Sequence, residues 1–174
     1  LEPFDYPVND PGPHTLRVDL SQNENRKRLN WILGRITNYV GVLNFMGARF
    51  SANSSAMSEL MNELNKRGLL YVDDGSALRS EAENIARTLR MPIAKSSLLL
   101  DADPDSERIV AQLLKLEQRA RDEGVAIATA SAFPASVKSI AKWVREAEKK
   151  GIDVVPISAL SRVGKPTQLG LSTL

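Results

Sequence analysis

The feature that restricts this sequence most is an alternation in which a short apolar run empties into a polar turn and a helical pattern starts just beyond it. The runs are Tyr39–Leu43, Leu69–Val72, Ile93–Leu100 and Val125–Thr129, with a last run at Ile152–Pro156. Glycines stand where helices should stop, at Gly68, Gly124 and Gly151, since glycine takes a left-handed conformation without a steric penalty. Strands separated by helices of this length are too far apart for hairpins. They pair in parallel through right-handed crossovers. The expected class is therefore α/β, with alternating β/α units and a mostly parallel sheet.

The helices carry their own signals. Ser21 and Glu24 have capping-box spacing, and the helix they open should reach about Thr37 with Leu29, Ile32, Leu33 and Ile36 on one buried face. Trp31 lies off that face and implies a second contact surface. Asn53 or Ser54 caps a helix whose stripe is Met57, Leu60, Met61 and Leu64, where the methionines read as core filler. Ser80 and Glu83 form a second capping box, ahead of Ala82, Ile85, Ala86 and Leu89. Asp103 before Pro104 predicts the next start, with Ile109, Leu113, Leu116 and Ala120 inward. Pro134 opens a helix with Val137, Ile140, Ala141, Val144 and Ala147 inward, and Ser158–Ser161 reads as a short helical turn. Residues 1–20, with Pro3, Pro7, Pro11 and Pro13, form a loop with at most an extended piece at Leu16–Leu20. Residues 162–174 form an irregular tail, and 1–174 reads as one domain.

Composition narrows the chemistry. There is no cysteine, which removes disulfides, thiolate metal sites and cysteine nucleophiles together. The single histidine, His14, lies in the Pro-rich loop, so no nucleophile–histidine–acid arrangement is supported. A formal net charge of +2, with basic residues scattered among acids, argues against a nucleic-acid partner. No apolar run is long enough to span a membrane. Gly41 and Gly47 fit no phosphate-binding spacing. The start, LEPFDYP, has no leader-like pattern and no initiator Met, and reads as a processed or partial chain.

In a parallel sheet the carboxyl ends of the strands share one side, where such folds build their sites. The residues there are Asn44 and Phe45, Asp73 and Asp74, Asp101, and Thr129 to Ser131. Asp73 and Asp74 are the sharpest pair. Adjacent residues point apart, so one can face a pocket while the other holds the Gly75–Ser76 turn; equally, Asp-Asp-Gly-Ser is a good turn with no function. Asp101 with Asp103 could reach a cation, although Asp103 already has a capping task.

With these residues in view, the sequence resembles the divergent polysaccharide deacetylases, a branch of the NodB-like carbohydrate esterases. The resemblance is carried by YVGVLNFMGARF, RGLLYVDDGS, GVAIATASAFP and GIDVVPISAL, and spans LEPFDYPVNDPGPHTL to VVPISAL. It implies part of a deformed (β/α) barrel, an extracytoplasmic or periplasmic location, and a divalent metal such as zinc that polarises an acetamide carbonyl and activates water. The family typically has histidine where this chain has Phe45 and, in a Gly-His-Pro turn, where it has Ser131. Its barrel begins with a strand bearing an Asp pair that lies ahead of the part matched here. Asp73 and Asp74 match an acidic strand end and are the catalytic candidates. Asn44, Phe45, Arg49, Ser131, His14 and Asp101 are the substrate-binding candidates. No metal ligand is assigned and no cofactor is expected, a divalent ion being expected only where a longer chain completes the site.

Two readings follow. In one, the protein keeps the scaffold of a hydrolase of carbohydrate metabolism but binds a cell-envelope glycan or an envelope protein without catalysis. In the other, it is an active metal-dependent N-deacetylase of N-acetylated sugars. A homo-oligomer or a complementing N-terminal segment is the further partner expected.

Overall fold

A computed structural model describes residues 1–161 of the chain. They divide into two compact units, one formed chiefly by Leu1–Ala94 and the other by Lys95–Leu160. The irregular tail expected at 162–174 lies outside the described residues.

The first unit holds helices α1 (Gln22–Leu33), α2 (Ala48–Ser51), α3 (Ser54–Lys66) and α4 (Ala82–Leu89), with strands β1 (Gly41–Leu43), β2 (Leu70–Asp73) and β3 (Ile93–Lys95). The strands lie in the order β1-β2-β3, and β1 pairs in parallel with β2 in the register Gly41 to Leu70, Val42 to Tyr71 and Leu43 to Val72. Caps fall where the side chains dictate: Ser21 accepts from the Glu24 backbone N–H, and Asn53 accepts from that of Ala56. One core joins Leu29 and Leu33 of α1, Met57, Leu60, Met61 and Leu64 of α3, and Ala82 and Ala86 of α4 to Tyr71 of β2. Each buried aliphatic side chain contributes about 1.5–3 kcal/mol relative to exposure.

Several expectations need correction here. The first helix ends at Leu33, four residues early, because Gly34 caps it and Asn38 takes positive φ. Ile32 and Ile36 are therefore exposed, and only Leu29 and Leu33 of the expected stripe are buried. The helix α2 was not foreseen: it is one turn long, too short for a periodic signal, and it exists to drive Phe50 into the core. The second capping box does not form, since Glu81 occupies the cap position without a side-chain bond.

The second unit contains strands β4 (Leu98–Leu99) and β5 (Ala128–Thr129) with helices α5 (Ser106–Glu123), α6 (Pro134–Lys149) and α7 (Ile157–Leu160). β4 pairs in parallel with β5. Its core is Leu100, Ile109 and Leu113, with Leu116, Ile140 and Trp143 packed against them. The extended run 93–100 is broken at Ser96 and Ser97, so that β3 and β4 belong to different sheets. Ser96 turns its hydroxyl onto the Leu98 carbonyl, a local bond that competes with ladder pairing. Asp105, not Asp103, caps α5, accepting from the N–H groups of Glu107 and Arg108, while Asp103 accepts from the Asp105 N–H and pairs with Arg108. No strand forms at 152–156, and Val137 and Ala141 of α6 face solvent.

Candidate functional site

At the exit of β1 the chain turns sharply through Met46 and Gly47, both at positive φ. A side chain at Gly47 would place its Cβ 2.4 Å from the Cβ of Leu1, so the position is closed to anything larger than glycine. Asn44 holds this turn together. Its Nδ2 donates to the Met46 carbonyl at 2.9 Å, and its Oδ1 accepts from the Asp74 N–H at 2.8 Å. The second bond ties the exit of β1 to that of β2. Phe45 extends from the turn and is 65% exposed.

At the exit of β2 the two aspartates serve the turn that follows. Asp73, 2% exposed, accepts from the Gly75 N–H at 2.8 Å on one oxygen and from the Ser80 hydroxyl at 2.6 Å on the other. Asp74 Oδ1 accepts from the N–H and the hydroxyl of Ser76 at 2.9 and 2.7 Å. These are consecutive Asx turns, with both carboxylates used as turn acceptors.

Arg49 lies on α2 and reaches Oε1 of Glu2 at 3.2 Å. Glu2 is buried, and its other oxygen accepts from the Val18 N–H. The guanidinium thus compensates a buried carboxylate that fastens the Pro-rich loop. His14 stacks on Trp31 at 3.6 Å between ring centroids and 15° between planes, which accounts for a tryptophan off the main face of α1. Both rings border an apolar cavity of about 380 Å³, whose wall includes Leu33, Leu43, Phe45 and Tyr71. The Tyr71 hydroxyl is buried and has no hydrogen-bond partner among the described residues. Burial, and then the charges of Asp73 and Asp74, raise its pKa far above that of an ordinary phenol.

In the second unit Asp101 follows β4 and is buried. Its Oδ2 accepts from the Ser131 N–H at 2.7 Å and from the fully buried Ser136 hydroxyl at 2.6 Å. Here too a strand-end side chain grips the backbone at the exit of the neighbouring strand. Asp101 joins β4, β5 and the first turn of α6. Asp103 is engaged with Arg108 instead.

The divalent ion implied by the resemblance needs several free oxygen or imidazole donors converging on one point. Phe45 offers a ring, both oxygens of Asp73 are occupied, and His14 is stacked away on Trp31. No group of three or more His, Asp or Glu is placed to hold a metal among the described residues. These side chains do not fit such an ion. The residues that sequence reasoning missed are Glu2, Tyr71, Ser80 and Ser136. Only Tyr71 had a usable signal, standing two positions before Asp73 and so on the same face of β2.

Parallel strand pairs, alternating helices and a set of polar strand exits define an α/β scaffold. The chain belongs to the divergent polysaccharide deacetylase family, whose sequence profile matches residues 1–161. It is 24% identical over 160 residues to the uncharacterized protein YibQ of Escherichia coli K12, covering 92% of this chain and 49% of that protein. The crystal structure of the uncharacterized protein ATU2773 from Agrobacterium tumefaciens C58 superposes with a TM-score of 0.89 at 43% identity, over 91% of this chain and 65% of that one. The chain thus spans about half the length of the E. coli relative. No helix among the described residues is long and apolar enough to cross a membrane.

Proposed function

We propose that this protein is a non-catalytic member of its family that binds a cell-envelope glycan outside the cytoplasm. The observation that carries this reading is the exit of β1, where an exposed Phe45 stands and the adjoining Asn44 and Asp73 are engaged in holding the strand-exit turns. An aromatic face beside fixed polar groups suits stacking against the apolar face of a sugar ring. Hydrolysis of an acetamide would instead need a polarising ion and an activated water.

Calorimetric titration with chitin and peptidoglycan oligosaccharides tests the reading, run beside an acetate-release assay with added zinc or cobalt. Binding that Phe45→Ala weakens about tenfold, a loss of about 1.4 kcal/mol, supports it. Metal-dependent acetate release abolished by a chelator would return N-deacetylation as the activity. Absence of binding to either oligosaccharide class would remove the glycan.

A further inference from the structure

A second cavity, of about 280 Å³, opens between α1 and α3 in the first unit. Its floor is apolar, formed by Leu16, Leu29, Phe50 and Leu60, all of them buried. Its rim is polar, and the charges there are unequally used. Glu63 is paired with Arg67, and Asn25 is turned away to bond the backbone of Arg17. Arg26 on α1, and Glu59 and Lys66 on α3, line the cleft and have no partner among the described residues. Glu59 and Lys66 are two turns apart, so about 10 Å of helix axis keeps them from pairing with each other. Glu59 is half-buried, and a partly desolvated carboxylate above an apolar floor gains most from a cation brought in from outside.

We infer that this cleft is a binding site for a short peptide with free termini and an apolar side chain, separate from the Phe45 turn and independent of the glycan reading. Arg67, next to Lys66, donates to Asn30, one turn beyond Arg26, so Arg26 and Lys66 serve the same end of the cleft. The ligand therefore brings a carboxylate to that end, where the guanidinium can take it with two hydrogen bonds, and an ammonium to Glu59. The part between them is apolar and lies on the floor. The two charges of a single amino acid are too close together to reach both ends, whereas an extended tripeptide spans about 10 Å. A neutral sugar chain would leave all three charges unanswered. The volume stands at the small end of ligand sites, which run from about 300 to 1,000 Å³, and suits a ligand of two or three residues.

The test is calorimetric titration of the 174-residue chain with alanyl-leucyl-alanine, with the same peptide acetylated and amidated at its ends, and with free leucine. The free tripeptide is expected to bind at least about tenfold more tightly than either of the others. Arg26→Ala and Glu59→Gln should each weaken it about tenfold. Circular dichroism and melting should stay those of the unsubstituted chain, since both side chains stand on the rim. No binding of the free tripeptide at millimolar concentration overturns the inference. So does equal affinity for the capped peptide or for leucine, or full affinity in both variants.

Discussion

Replacing Asp73 separates a turn-holding carboxylate from a catalytic one. Asp73→Ala removes the acceptor for the Gly75 N–H and for the Ser80 hydroxyl. A hydrogen bond to a charged group contributes about 1.5–3 kcal/mol, and water can reach Gly75 and Ser80 in part, so the expected loss is about 2–4 kcal/mol. With a urea slope of about 1–3 kcal/mol per molar, the unfolding midpoint of the first unit should fall by about 1–2 M. The chain has two tryptophans, Trp31 in the first unit and Trp143 in the second, so a Trp143→Phe background lets fluorescence follow the first unit alone. Asp73→Asn, which keeps one acceptor, should lose about half as much. Asp73→Ala combined with Ser80→Ala should show a coupling energy of about 1–2 kcal/mol. A midpoint shift below about 0.3 M for Asp73→Ala, with no coupling to Ser80, would refute the turn-holding role and leave Asp73 free for chemistry.

Three further outcomes are expected. Asp101→Ala should leave the Ser131 N–H and the buried Ser136 hydroxyl without their acceptor, raising amide exchange at Ser131 and in the first turn of α6 while the Trp31 transition stays in place. Gly47→Ala should cost about 1–3 kcal/mol in the first unit by denaturant titration, because its φ of 111° and its contact with Leu1 both oppose a side chain. Glu117 is held below its ordinary carboxylate pKa of 4.5 by hydrogen bonds from Lys150 and then Arg121. Its contribution is therefore present above that value and is lost as pH falls through the lower folded one. Glu117→Gln should accordingly lower stability at neutral pH and flatten the acid limb seen by Trp143 fluorescence.

The alternation of strands and helices was legible because periodicity reports burial, and burial set the stripe of α3 without interference. Where neighbours were few, the same signal misled. Ile32 and Val137 fall on good helical stripes yet face solvent, since a stripe says which face is apolar and not whether anything covers it. The break at Ser96–Ser97 depends on a hydroxyl choosing a local carbonyl, an energy too small to leave a pattern. At the site, the strand-end positions were readable, and Asp73, Asp74 and Asn44 do come together in one unit. Their partners were not readable, because Ser80 reaches Asp73 from seven residues away and Glu2 meets Arg49 across the fold.

The sheet of the first unit, in which each strand lies beside the next one along the chain, also bears on the order of folding. The crossovers are short, with α2 and α3 between β1 and β2 and α4 alone between β2 and β3, so loop-closure entropy stays small. β1 and β2 can join as soon as α3 has formed, and β3 adds to an edge that already exists. A ribosome releasing this polypeptide from its amino end therefore delivers the elements in the order in which they dock, and the first unit can consolidate before the second has been synthesised.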